Sequence, residues 1–122
     1  FPYMETIFES RKKVVDFYNK HLNFDRLKTI KIREYTGWNY SYYPVIFESE
    51  SQLLQVQKVL NAQQIFPRRY FYPSLNTIDF VKGATMPVSE NIASRILCLP
   101  LYVGLEKSNL EQIVHLINTN IC

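Results

Sequence analysis

The chain has 122 residues, 47% of them hydrophobic and 15% aromatic, which suffices for one domain with a real core and needs no disulfide to hold it. Fourteen Lys and Arg against 11 Asp and Glu give a net charge of +3, too small to argue for nucleic acid, and no apolar run of about eighteen residues or signal-peptide pattern marks a membrane-spanning or secreted chain. Cys98 and Cys122, the latter far from the former's apolar run, read as free thiols in a reducing, cytoplasmic compartment.

Residues 3–21 open with a helical pattern. Ile7, Arg11, Val14, Tyr18 and Leu22 fall on one side, and Phe8, Val15 and Phe17 widen the apolar face beyond what one contact requires. Ile30 and Ile32 then alternate with Thr29 and Lys31 as a short strand. Residues 38–47 are dense in aromatic and β-branched side chains, which predicts a strand with both faces against protein, and Pro44 predicts an edge position or a bulge. Ser49 offers an N-cap with Gln52 as its reciprocal partner. The following helix is expected to bury Leu53, Leu54, Val56, Gln57 and Leu60.

Residues 66–75, Phe-Pro-Arg-Arg-Tyr-Phe-Tyr-Pro-Ser-Leu, join a charged pair, three aromatic rings after it and two prolines. Pro67 lacks a backbone donor and Pro73 restricts Tyr72, so the segment reads as a short extended piece that runs into a stiff loop. Arg68 and Arg69 beside Tyr70 and Tyr72 offer fork-like donors and aromatic hydroxyls to an anion or a polar ring; the bland alternative is an edge strand with solvated arginines. Residues 75–87 lack a sustained period and predict a loop, followed by a helical turn from Ser89. Ile96-Leu97-Cys98-Leu99, closed by Pro100, has strand length. Ser108 and Glu111 have capping-box spacing ahead of a helix whose Leu110, Ile113, Val114 and Ile117 point one way. Together these parts predict one α/β domain, with helices packed on a small mixed sheet that is at least partly antiparallel.

The chemistry is sparse. His21 and His115 have no metal-ligand spacing, Ser74 lacks a nucleophile elbow, and Gly37, Gly83 and Gly104 are isolated, so neither a metal site, a nucleophilic triad nor a phosphate loop is expected. Lys58 and Lys82 have no context that would lower an amine pKa. Arg26, Lys28, Lys31 and Arg33 form a modest basic run that reads as a solvated face before it reads as a contact for RNA or another subunit.

Three segments carry a resemblance. Trp38-Asn39-Tyr40-Ser41-Tyr42-Tyr43-Pro44-Val45-Ile46-Phe47, then residues 65–75, then Leu97-Cys98-Leu99-Pro100-Leu101-Tyr102 resemble the carboxyl-terminal part of the DegT/DnrJ/EryC1/StrS family of pyridoxal-phosphate (PLP)-dependent nucleotide-sugar aminotransferases. The resemblance implies the carboxyl-terminal domain of a type I aminotransferase, over residues 1–122, with the amino-terminal PLP-binding domain missing. The chain starts at Phe1, so it is expected to be a processed product or a cut piece.

The complete enzyme is expected to bind PLP, to move an amino group from an amino acid such as glutamate to a keto-sugar nucleotide, and to form a homodimer. The lysine that holds PLP covalently, the acid facing its ring nitrogen and the residue stacked on the ring belong to the missing domain. No catalytic or cofactor-binding residue is therefore expected here, and the piece alone should be inactive. The substrate-binding expectation falls on Arg69 and Tyr72, with Asn76, Arg68 and Tyr70 beside them; many family members carry a histidine where this chain has Asn76. Two other classes stay open on the residues alone: a non-catalytic binding or assembly module, and a small RNA-binding α/β domain that stacks bases on Tyr40, Tyr42 or Tyr70.

Overall fold

The computed structural model describes residues 2–81 and 83–121, so the readings of Lys82 and Cys122 lie outside the described residues. In chain order it contains α1 (Met4–His21), β1 (Lys28–Thr29), β2 (Tyr43–Ile46), α2 (Glu50–Ala62), a 3-10 turn (Leu75–Thr77), α3 (Pro87–Arg95), β3 (Ile96–Leu99) and α4 (Lys107–Asn120). The strands lie in the order β1-β2-β3, and each described pairing is antiparallel. Val45 faces Leu97 on one side and Thr29 on the other.

The alternation of a strand and the 3.6-residue period of a helix decide the layers. Tyr43, Val45 and Phe47 share one face of the sheet with Leu97 and Leu99. Onto that face pack Val14, Val15 and Tyr18 from α1, Leu53, Val56 and Leu60 from α2, and Leu110, Ile113, Val114 and Ile117 from α4. Helix α4 touches both α1 and α2. Two tyrosines cross this core with their hydroxyls satisfied: Tyr18 donates to Pro100 O at 2.9 Å and Tyr43 to Asn19 Oδ1 at 2.6 Å. Burial raises the pKa of both phenols well above the ordinary value. The opposite face, with Pro44, Ile46, Ile96 and Cys98, meets α3 through Ala93 and is otherwise bordered by loops. Cys98 is a free, buried thiol whose pKa is pushed up to about 11 by burial.

Several local expectations need correction. The extended run over 38–47 shrinks to Tyr43–Ile46, because Tyr40 adopts a left-handed φ of 52° that no strand accommodates. The strand through Ile30 and Ile32 is confined to Lys28–Thr29, and both isoleucines are exposed. Pro44 lies in the central strand rather than at an edge. Its neighbour Cys98 directs N–H and C=O to Arg68, at 2.8 and 3.0 Å, so no donor is needed from Pro44 on that side. On the other side β1 has ended, and Pro44 O accepts from Thr29 Oγ1 at 2.7 Å.

At α2, Ser49 Oγ accepts from Gln52 N at 3.2 Å as expected, but Gln52 Oε1 accepts from the amide of Glu48 rather than of Ser49. Leu54 is 47% exposed, one residue off the buried stripe. Pro87 opens α3 at its first position instead of closing the preceding loop. Helix α4 starts at Lys107 with Glu106 as an N-cap that makes no side-chain bond, so Ser108 sits inside the first turn and its capping box does not form. The short extended piece expected after α2 pairs with β3 at a single bridge, Arg68 to Cys98.

Candidate functional site

The single bridge at Arg68 sends consecutive side chains to different places, since strand neighbours project to opposite sides. Arg68 is exposed, borders a groove of about 510 Å3 together with Tyr42, Tyr70 and Tyr102, and has no side-chain hydrogen bond or ion pair among the described residues. Arg69 turns the other way and is largely enclosed, its side chain 15% exposed. Its Nη2 donates to Glu50 Oε1 at 2.9 Å and to Ser94 O at 2.8 Å, and its Cζ lies 3.7 Å from the centroid of the Tyr72 ring. The paired guanidiniums therefore do not form one fork. Arg69 ties the loop to the start of α2 and the end of α3, and Tyr72 is half-exposed above it.

Tyr70 packs edge-on against Tyr42 with centroids 5.1 Å apart. Asn76 is held from three directions: Ser74 Oγ donates to its Oδ1 at 2.6 Å, while its Nδ2 donates to Ala84 O at 3.0 Å and to Glu90 Oε1 at 2.6 Å. The same Glu90 oxygen accepts from Met86 N at 2.8 Å. These two donors, the Met86 amide first and Asn76 second, hold the Glu90 carboxyl below its ordinary value. Ser74, the buried polar residue of the loop, also shares a hydrogen bond with Ser89 Oγ at 2.7 Å. Gly83 closes the arrangement, because a Cβ built there would stand 2.8 Å from Asn76 Cβ.

The loop is thus a clasped lobe on α3, and it carries Leu75, Phe80, Val81 and Met86 outward beside Val88 in the first turn of α3; Phe80 is 85% exposed. Sequence reasoning missed Glu50, Ser89 and Glu90. An acidic residue in the first turn of a helix is a readable signal for Glu90, whereas the Glu50–Arg69 pair spans 19 positions and has no local sign.

Among the described residues no group of three His, Cys, Asp or Glu side chains could hold a metal ion, and no helix is long and apolar enough to cross a membrane. Neither the groove at Arg68 nor the cavity of about 400 Å3 on the opposite sheet face, lined by Trp38, Phe71 and Ile92 among others, presents a lysine or a carboxylate. These two cavities therefore lack the amine and the acid that PLP needs at its reactive carbon and its ring nitrogen.

The order of helices and antiparallel strands is that of a type I PLP-dependent aminotransferase domain: an aminotransferase, TlmJ, from Streptoalloteichus hindustanus superposes with a TM-score of 0.88 at 19% identity, over 98% of this chain and 33% of that one. The sequence narrows the class. The chain belongs to the DegT/DnrJ/EryC1/StrS aminotransferase family, which it matches over residues 1–118. It is similar to a dTDP-4-amino-4,6-dideoxy-D-glucose transaminase of Escherichia coli, 28% identical over 67% of this chain and 24% of the relative, and to one of Shigella dysenteriae, 30% identical over 80% and 31%. The chain therefore spans 24% and 31% of the length of these two relatives. The family as a whole is PLP-dependent.

Proposed function

We propose that the chain is the carboxyl-terminal small domain of a nucleotide-sugar aminotransferase, which transfers an amino group from an amino acid, glutamate in the simplest case, to a keto-sugar nucleotide. The family match over residues 1–118 carries this reading, and the dTDP-sugar transaminases among its relatives support the substrate class. PLP supplies the electron sink for transamination when bound. The groups that hold it belong to the rest of the polypeptide, so the 122-residue chain is inert by itself.

The contribution of this chain is to border the substrate. Tyr72 offers its exposed ring edge and hydroxyl, Arg69 sets the orientation of that ring from below, and the 69–76 loop excludes water from the cleft. The outward apolar lobe from Leu75 to Val88 is a surface of the kind that marks a contact, and we assign it to the missing amino-terminal domain or the second subunit of a homodimer.

The test compares the 122-residue chain with the polypeptide completed by an amino-terminal PLP domain, using steady-state amino transfer to keto-sugar nucleotides as the readout. Turnover is expected in the completed protein alone. Saturable turnover by the isolated chain would overturn the assignment. An oligonucleotide-binding role draws less support, since the Tyr42 and Tyr70 rings that would stack bases are packed on each other.

A further inference from the structure

We infer that the channel between α1 and α4 is a docking site for an acidic, amphipathic helical segment of a protein partner. The two helices run in the same direction there: Ser10 and Lys13 share one cavity with Gly104 and Lys107, and Lys20 and His21 share the next with His115 and Asn118. These cavities, of about 300 and about 600 Å3, have Phe17 and Lys107 in common and form one channel along the helix pair. Asn118 fixes its far end, donating from Nδ2 to His21 O at 2.8 Å and accepting the Asn23 amide on Oδ1 at 3.0 Å. No residue of α3 or of the 66–81 segment lines either cavity, so this face is separate from the loop assigned to the substrate.

Floor and rim differ in chemistry. Val14, Leu110 and Val114 are buried beneath the channel, and Phe17 is half-buried at its middle with the His21 ring centroid 4.3 Å from its own. Around this apolar strip stand Lys13, Lys20 and Lys107, all exposed. Glu111 is the one carboxylate among the described lining residues; it meets Lys107 at 3.5 Å, with side chains 78% exposed for Lys107 and 58% for Glu111, a pair that contributes little. Lys13 and Lys20 form no ion pair among the described residues. The sorting of charge on α1 is independent of the lining. Of the carboxylates within one turn of these two lysines on the helix, Asp16 is held by Lys12 at 2.8 Å, and Glu9 forms no ion pair among the described residues. Neither lines the channel, so the basic side of α1 keeps its charge for something outside the chain.

The spacing selects the occupant. Lys13, Phe17 and Lys20 lie at i, i+4 and i+7 on one stripe of α1, so the two lysines flank the ring and are separated by about 10 Å along the axis. A helix with two carboxylates seven positions apart and an apolar residue between them repeats that spacing. Laid along the channel, it covers Phe17 with the apolar residue while the carboxylates reach Lys13 and Lys20. A nucleic acid fits less well, because its charge is continuous and Glu111 would face phosphate, whereas a peptide can leave that position neutral.

The experiment titrates the 122-residue chain into a fluorescein-labelled helical peptide that carries two glutamates seven positions apart and a leucine four positions after the first, read by fluorescence anisotropy. Saturable one-to-one binding is expected, and it should weaken as salt rises. Lys13→Gln and Lys20→Gln should each weaken it about threefold, and the double substitution about tenfold. The unfolding midpoint should stay in place, since both side chains are exposed and unpaired among the described residues. Lys12→Gln removes the same charge away from the channel and should keep the affinity within about twofold of wild type. Lys20→Glu should prefer a peptide with one glutamate exchanged for lysine over the original. Absence of saturable binding, an equal loss in Lys12→Gln, a serine-for-leucine peptide that binds as tightly, or displacement of the peptide by an equal concentration of single-stranded oligonucleotide would overturn the proposal.

Discussion

Arg69→Ala provides the sharpest check on the clasp that holds the 69–76 loop. The substitution removes an ion pair of 2.9 Å to Glu50, a hydrogen bond of 2.8 Å to Ser94 O and a guanidinium 3.7 Å above the Tyr72 ring. Glu50 is 42% exposed, so the ion pair contributes about 0.5 kcal/mol after solvent screening. The charged hydrogen bond to a carbonyl contributes about 1.5 kcal/mol and the ring contact about 0.5 kcal/mol. Arg69 Nε is buried without a hydrogen-bond partner, and that desolvation lowers the total, which leaves about 2 kcal/mol.

For a chain of this length about 2 kcal/mol corresponds to a fall of roughly 8 °C in the unfolding midpoint, read by circular dichroism. Arg69→Lys keeps the charge but cannot serve Glu50, Ser94 and the ring together, so it should fall between the two. A midpoint for Arg69→Ala within about 2 °C of wild type would refute the reasoning. In the completed enzyme, the same substitution should impair use of the sugar nucleotide more than retention of the cofactor.

Two further outcomes follow from burial and from protonation. Ile113→Ala should cost about 2 to 5 kcal/mol in urea unfolding, because Ile113 is 1% exposed, and Leu54→Ala, at a half-exposed position, should cost under about 1 kcal/mol; equal losses would displace Ile113 from the core. Glu90 ionises below the ordinary carboxylate value of 4.5, so what it adds to stability is complete above that value and is lost as the pH falls through its lower folded value. Amide exchange at Met86, corrected for its intrinsic rate, should accelerate across that acidic window in wild type but stay flat in Glu90→Gln, and a flat wild-type profile would remove Glu90 as the titrating group.

The parts of the fold that could be read from the sequence are those where period and burial coincide. The stripe Leu110, Ile113, Val114 and Ile117 is buried as its spacing dictates, and Ile96-Leu97-Cys98-Leu99 is a strand buried at every position. Errors arose where composition imitated a period. Trp38 to Tyr42 has the aromatic alternation of a strand, but the left-handed turn at Tyr40 depends on how Trp38 and Tyr40 settle on the core, with ring centroids 4.8 Å apart, and tertiary packing of that kind has no local sign. Leu54 shared the apolar character of Leu53 while lying about 100° further around the helix. Ser108 had the right spacing to Glu111 but the wrong starting residue, since the N-cap falls two positions earlier, at Glu106.

The same divergence governs the site. Arg68 and Arg69 were read as one basic feature, yet the bridge to Cys98 assigns one to an open groove and the other to a closed ion pair. Asn76 is engaged by Ser74, Ala84 and Glu90, so contact between its amide and a ligand requires at least one of those bonds to be released. Its fixed position, with no room for a Cβ on Gly83, instead sets the path of the loop on which Leu75 and Phe80 are presented. A neutral histidine at this position would have to replace the two donor bonds of Nδ2 with a single ring N–H, and either Ala84 O or Glu90 Oε1 would lose its partner. The amide of Asn76 is thus committed to holding the loop, whereas Tyr72 stays half-exposed with its ring over the Arg69 guanidinium.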